Sequence, residues 1–540
     1  MSSGRCNRLI SRTLIAAAAL AGVAVSAQQV FADPPARIAR IAVVSGQVSF
    51  RPSSTDEWDA ASPNYPLTIG DHVWTDRSAR TELDLGSAAV RLNAQTEMSV
   101  LDMDDRSVQL RLTEGTLHVR LRNGWSDSFE VDTPNGAVTL LQPGTYRIDV
   151  NANGDASTVT VRRGGASVVA GGFSYRVDAQ ESMQLDGLDR PHTQLRDAIA
   201  IDAFEDWCIA RDRREDSALS ARYIPEDVVG YSDLDDYGAW ANDADYGSVW
   251  TPRVAADWVP YREGRWVWID PWGWTWVDAE PWGFAPFHYG RWVSLRGRWG
   301  WVPGRFTARP VYAPALVAFV GGGGWGASLS LGSEPVGWFP LGPREPYVPA
   351  YRVSAAYVHA INVPHVNVTT VSVTNITYVN RNVPGAVTAV PRDVFVRSRP
   401  VNTAAVAVPR DQARNVQVVG HAAPMGAQAV VRDVRPRVSA PPAAIINRPV
   451  VTRRQPPVQL PQQQQQQPQP APATQAAPRA GAPQQQPQPQ RAQPQEQPQR
   501  QDQPERQNQP QRQDQPQRQP EQRPARAASR RPPDQKPDQK

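Results

Sequence analysis

Gly264-Arg-Trp266-Val-Trp268-Ile-Asp-Pro-Trp272-Gly-Trp274-Thr-Trp276 places tryptophan at every second position on both sides of an Asp-Pro pair. Period-two spacing sends alternate side chains to one face of an extended strand. Asp-Pro interrupts the strand with a turn. The stretch therefore reads as a β-hairpin with an indole-covered face.

It is the middle member of a series. Gly238-Ala-Trp240, Gly264-Arg-Trp266 and Gly290-Arg-Trp292 recur at a spacing of 26, Trp250 and Trp276 stand in phase, and Trp301 falls one residue short of it. A fixed period of this size marks a repeated supersecondary unit. Of 18 tryptophans, 14 lie between Trp240 and Trp338. A small hairpin has too few residues for an aliphatic core, whereas each indole buries about 150–250 Å², so the rings can hold the hairpins together. The functional alternative turns some rings outward as a platform for sugar rings or for Pro-rich and aromatic peptides. On that reading the candidate binding residues are Trp240, Trp250, Trp266, Trp276, Trp292 and Trp301, with Arg265 and Arg291 among them.

Upstream, from about Arg40 to Leu185, short alternating runs are punctuated by Gly, Asn and Asp. Ile41–Val44, Gln47–Phe50, Thr81–Leu85, Val108–Leu112, Thr145–Val150 and Thr158–Val161 read as strands, with a hairpin turn at Asn151–Asp155. The pieces Gly46-Gln-Val48, Leu67-Thr-Ile-Gly70-Asp71, Leu83-Asp-Leu85-Gly86-Ser87, Leu112-Thr-Glu-Gly115, Phe129-Glu-Val131-Asp-Thr133-Pro134-Asn-Gly136 and Pro143-Gly144-Thr145-Tyr146-Arg-Ile148 follow in order. In that order they resemble the FecR-like domain, a β-sandwich or solenoid. The resemblance implies an envelope signalling module; members with a known role reach a sigma factor through a cytoplasmic segment and a membrane helix, where this chain has a cleavable signal.

The stretch Phe204 to Gly304, with Pro281-Trp-Gly-Phe-Ala-Pro-Phe-His-Tyr-Gly-Arg-Trp292, resembles the Trp-rich bacterial domain of unknown function that often follows a FecR-like domain. It names neither a reaction nor a ligand. Between the two, Ile201, Phe204, Trp207, Cys208 and Arg211 recur at three and four, which predicts one short amphipathic linking helix with Cys208 as a buried, inert thiol.

Arg5, Arg8 and Arg12 precede an apolar run, Leu14 to Val25, and small residues at Ala27 and Ala32. That order is a secretory signal peptide. The run is too short for a permanent span, which needs roughly 20 apolar residues. Processing leaves Cys208 as the single thiol, so an intramolecular disulfide is excluded. The formal charge of +4 is spread widely rather than gathered in a basic stripe, which argues against nucleic acid.

The expected architecture is mainly β: a signal peptide at 1–32, a FecR-like β domain at 38–188, the linking helix at 193–222, a Trp-rich repeat domain at 223–345, a β-rich extension at 346–400, and a disordered Pro/Gln-rich tail at 401–540. Within the extension His365 to Thr374 reads as strand; Asn367 and Asn375 match glycosylation acceptors by chance. No nucleophile elbow, zinc-helix motif, phosphate-binding loop or dinucleotide fingerprint is present. His359 and His365 lack a third ligand. Asp102, Asp104 and Asp105 read as a solvated turn, and Asp235 with Asp236 as a remote prospect for glycoside chemistry. The expectation is a periplasmic or secreted protein, non-enzymatic, without metal or cofactor, that binds an envelope polymer (glycan or peptidoglycan) or an envelope protein. The alternatives are a periplasmic regulatory protein acting through a membrane signalling partner and, last, a glycan-cleaving enzyme.

Overall fold

The computed structural model describes residues 32–306, 309–321, 335–363, 365, 376–433 and 438–454, all within a compact unit spanning Met1–Pro461. The signal segment up to residue 31, the glycine loop beyond Gly321, the expected strand after His365 with its acceptor asparagines, and the Gln/Pro tail from residue 455 lie outside the described residues.

The chain opens with β1 (Ala39–Ser45), β2 (Val48–Arg51), β3 (Asp59–Ala60), β4 (Pro66–Leu67) and β5 (His72–Thr75). There follow β6 (Arg80–Asp84), β7 (Ala88–Leu92), β8 (Thr96–Met103) and the long β9 (Ser107–Leu121). Next come β10 (Ser128–Asp132), β11 (Ala137–Leu140), β12 (Gly144–Val150) and β13 (Ala156–Arg163). The set closes with β14 (Gly165–Ala170), β15 (Phe173–Asp178), β16 (Glu181–Asp186) and β17 (His192–Asp197).

These strands pair into two sheets that share β9. One runs β4–β1–β6–β7–β9–β12–β13–β16–β17. The other runs β3–β2–β5–β8–β9–β10–β11–β14–β15. β9 passes between sheets at Gly115, where φ is +95° and an added Cβ would press on Thr96; only glycine fits there. Alternation puts Ile41, Leu83, Val90, Val119, Ile148, Val159 and Met183 on the inner face of the first sheet, against Phe50, Val73, Val100, Leu110, Val131 and Val168 of the second. All are buried. Each of the six strands expected between Ile41 and Val161 overlaps one of these elements, Gln47 and Leu85 falling just outside β2 and β6, and Asn151 closes its turn by accepting from Asp155 N at 3.1 Å.

α1 (Ala203–Asp216) follows β17, and α2 (Leu234–Tyr237) leads into three hairpins: β18 (Gly238–Asp243) with β19 (Gly247–Pro252), β20 (Gly264–Ile269) with β21 (Gly273–Asp278), and β22 (Arg291–Leu295) with β23 (Arg298–Val302). The register explains the repeat. Trp240 faces Trp250, Trp266 faces Trp276 and Trp292 faces Trp301. The third unit keeps the pairing although it is one residue shorter, because only Arg296 and Gly297, both at positive φ, separate its strands. The glycine that opens each unit is the bed for the return-strand indole: at Gly264 an added Cβ would lie 2.6 Å from Trp276 Cζ2 and 2.5 Å from Val277 O, and Gly238 and Gly290 lie as close to Trp250 and Trp301.

The C-terminal part departs from expectation. The described residues of 346–400 hold the helix Ala355–Asn362, capped by Ser354, the helix Arg392–Val396 and the single strand Thr388–Val390, rather than a β-rich run. The expected disordered tail also begins later than residue 401, since among the described residues Val406–Ala407 and Gln417–Gly420 join a five-stranded sheet with Val317–Gly321, Val336–Pro340 and Thr388–Val390. Further on, Val451 N donates to Thr133 O at 2.9 Å on the FecR-like sandwich. These strands are too short to carry a local signal; they form by adding to the edge of an existing sheet.

Candidate functional site

The outer face of the first sheet carries a row of cross-strand neighbours: Glu82 on β6, Arg91 on β7, His118 on β9, Arg147 on β12, Thr160 on β13 and Ser182 on β16. Arg120 and Arg162, two residues along β9 and β13, share that face by alternation. All six residues of the row are buried, because α1 crosses the strands above them.

α1 does not dock with an apolar face, as its spacing suggested. Its buried positions are Phe204, Glu205, Cys208, Asp212 and Glu215, whereas Trp207 is half-buried and Ile201 precedes the helix and is exposed. Carboxylates at i, i+7 and i+10 meet the arginines of the sheet. Arg162 donates to both oxygens of Glu205 at 2.5 and 2.7 Å, and Arg147 donates to Asp202 at 2.7 Å. Asp202 also caps the helix by accepting from Glu205 N at 2.9 Å. In the middle Arg91 donates to Glu82 at 2.6 Å, to Asp212 at 2.7 Å and to Glu215 at 3.3 Å. Arg120 donates to Asp212 at 3.0 Å and to Asp216 at 3.1 Å. Arg122 reaches Glu215 and, at 2.8 Å, the Tyr231 hydroxyl. One pair has the opposite polarity: Arg211 of the helix donates to Glu82 of the sheet at 2.5 Å.

The network continues into the Trp-rich domain. Arg214 of α1 donates to Asp233 at 3.1 Å and to Asp236 at 2.7 Å. Asp233 is shared with the buried Arg40 of β1, which also pairs with Asp84. Three groups of ion pairs, each including residues of α1 or its cap, thus tie the helix to the sandwich and, through Asp233 and Asp236, to the hairpin domain.

The electrostatics follow from the geometry. Burial alone would neutralise Glu82, but Arg91 and Arg211 outweigh it and hold its carboxyl at about 2. Burial likewise opposes the charge on Arg91, and the facing Glu82, Glu215 and Asp212 raise its pKa instead. Burial and the charge of Glu82 push Glu215 up, against Arg91 and Arg122. Burial, then the surrounding arginines, push His118 well below its usual range, so it stays neutral; neither ring nitrogen has a hydrogen-bond partner. The Cys208 thiol is fully buried and burial pushes its pKa up. A thiol in that state does not ionise readily.

The residues expected to form an indole platform are placed elsewhere. Trp250, Trp266, Trp276, Trp292 and Trp301 are all 0–1% exposed. Trp266 alone packs on Trp276, Phe319, Trp338 and Phe395. These rings are core because each hairpin has no other bulk to bury. Trp240 is half-buried, stacked on the exposed Tyr223 at 4.5 Å. Arg265 reaches Ser62 of the sandwich at 2.8 Å. Arg291 is buried and donates to Glu345 O, Gly290 O and Asn362 Oδ1. The eight residues therefore form no common surface.

Asp235 caps the segment at Leu219 and Ser220, and Asp236 pairs with Arg214, so both carboxylates are engaged in structure. Asp104 accepts from Arg106 N and Ser107 N and Asp105 from Ala36 N. Among the described residues no His, Cys, Asp and Glu side chains gather in a group that could hold a metal ion. No helix of the described residues is long and apolar enough to cross a membrane.

The charged face was missed by sequence reasoning, although signals for it exist. Arg91, Arg120, Arg147 and Arg162 occupy polar-phase positions of strands, and Glu205, Asp212, Glu215 and Asp216 share one helical stripe.

Residues 71–167 match the family described as FecR protein, and residues 231–345 match the family of unknown function DUF6600. No curated protein matches the chain. Two crystal structures of a candidate anti-sigma factor from Parabacteroides distasonis, at 2.50 and 1.65 Å, are similar at 17% identity with a TM-score of 0.22. The matched region covers 24–25% of this chain and 60–61% of those. The chain carries a FecR domain followed by a DUF6600 domain in a mainly β architecture.

Proposed function

We propose that this chain is a non-enzymatic regulatory protein of the cell envelope, exported by its N-terminal segment, that senses a partner and passes the signal through a membrane protein. The observation that carries the proposal is the ion-pair set under α1. A FecR domain supports signalling, and here its charged face is occupied by a helix that is also tied, through Arg214 and Asp233, to the neighbouring domain. A partner with an acidic segment would compete with α1 for Arg91, Arg120, Arg147 and Arg162. Its binding would then be felt at Asp233 and Asp236, a coupling between two sites through one shared element. Binding of a glycan or peptidoglycan through the indoles has lost its platform, since five of the six rings lie in the core.

The test is cross-linking in the cell that makes the protein, followed by purification of the full chain. Specific enrichment of one membrane protein, increased by Asp212→Arg, supports the proposal. Failure to enrich any membrane protein, together with firm retention on purified cell wall, would sink it in favour of polymer binding.

A further inference from the structure

Among the described residues the edge of the first sheet at β17 is left unpaired. Of the twelve large apolar side chains exposed among the described residues, five fall between 173 and 201: Phe173, Leu188, Leu195, Ile199 and Ile201, at 69, 52, 49, 37 and 54%. Leu195 lies in β17, and Leu188, Ile199 and Ile201 stand shortly before and after it in the chain; five of the six residues of β17 are exposed. Among the described residues β17 pairs with β16 alone. A six-residue edge with no internal proline or bulge is a template for a further strand. Of the other edges, β3 and β4 are two residues long and β4 contains Pro66, while β15, the end of the second sheet, turns Val177 into the core and packs against β13 and β16.

The free hydrogen-bonding groups of β17 can be assigned. Ala198 N donates to Gln180 O at 2.9 Å, which turns the even-numbered residues of β17 toward β16. In an antiparallel ladder the alternate residues face the other way, so Thr193, Leu195 and Asp197 present N–H and C=O to the open edge.

We infer that β17 pairs antiparallel with β17 of a second copy of this chain, with Leu195 on the two-fold axis. A two-fold perpendicular to the sheet keeps inner faces on one side, so opposed residues must have the same parity. Centring on Leu195 sets Leu195 against Leu195 of the second copy, Thr193 against Asp197, and Gln194 against Arg196. Every pair is apolar with apolar or polar with charged. Shifting the centre to Gln194 sets His192 against Arg196, and shifting it to Arg196 opposes two arginines; like charges across a pair destabilise it. The outward N–H and C=O groups of Leu195 then meet their own copies, and the apolar side chains at this edge are covered by the partner sandwich. The interface is isologous, the commonest symmetry of soluble oligomers. This inference does not depend on the regulatory reading.

Sedimentation velocity of the full exported chain over a hundredfold concentration range tests it. The expected result is a concentration-dependent monomer–dimer equilibrium that Leu195→Arg weakens at least tenfold, since it opposes two cations on the axis. Thr193→Pro, which removes only an outward N–H, should weaken it as well while circular dichroism and the melting midpoint stay close to wild type. A wild-type chain that stays monomeric throughout, or a dimer unchanged in both folded variants, overturns the inference. A dimer unchanged in both variants but lost when residues 455–540 are removed would assign the contact to the tail instead and equally overturn it.

Discussion

Arg91 Nη1 donates to Asp212 Oδ1 at 2.7 Å, linking a central strand of the FecR sandwich to a helix 121 residues further along the chain. Arg91 is completely buried. A buried ion pair is weak evidence for stability, because desolvation offsets the Coulomb gain, but deleting Arg91 leaves three buried carboxylates short of a shared cation, with only Arg211, Arg120 and Arg122 to offset them.

Arg91→Met should therefore destabilise the protein by about 3–5 kcal/mol, with Glu82, Asp212 and Glu215 left facing one another. The measurement is urea unfolding followed by circular dichroism. If the loss is under about 1 kcal/mol, as for an exposed pair, the network does not hold the helix down.

Gly264→Ala should cost about 1–3 kcal/mol by forcing the Trp276 ring and the Val277 carbonyl apart. Gly124→Ala, where nothing lies within 4 Å, should stay within about 0.5 kcal/mol of wild type. Equal effects at the two sites would contradict the role given to the repeat glycine.

The buried indoles predict a blue-shifted emission with weak acrylamide quenching in the native chain, both reversing on denaturation. Trp250, Trp266, Trp276, Trp292 and Trp301 are the rings responsible. Strong native quenching of most of the emission would return these rings to the surface.

Stability should also depend on pH through His288, which is buried, donates from Nδ1 to Ala313 O at 2.7 Å and is held at about 3, chiefly by burial. The unfolded histidine, near 6.5, takes up a proton that the folded one refuses. Its contribution is complete above pH 6.5 and is lost as pH falls toward 3. His288→Gln should therefore flatten the wild-type fall in urea midpoint between pH 6.5 and 4.5 by the slope of one proton. Parallel profiles would contradict the assignment.

Local periodicity made the sandwich and the hairpins legible, because Val108 to Leu112 and Trp266 to Trp276 repeat large apolar side chains at even spacing. It also indicated a helix, expected over 193–222 and formed over Ala203–Asp216 after a strand at His192–Asp197, but not what α1 packs on, because Glu205, Asp212 and Glu215 meet arginines supplied by distant strands. Those partners stand 43 to 124 residues away, beyond the reach of any window. The same limit hid the strands Val406–Ala407 and Gln417–Gly420, which exist only as additions to a sheet begun at Val317. The indole question was undecidable locally, since alternation shows that rings share a face and not whether another layer covers it.

Cys208 gives the most direct reading of the central claim that α1 is clamped on the sandwich, because it lies in the middle of the docked face with no exposure. In a chain carrying Cys6→Ser, the rate at which a small disulfide reagent modifies this thiol measures how often the helix lifts. Wild type should react at least a hundredfold more slowly than the same chain in urea, and Asp212→Arg should restore much of that rate while the sandwich keeps its circular dichroism. A native thiol that reacts as fast as the unfolded one would show that α1 is not held on the charged face.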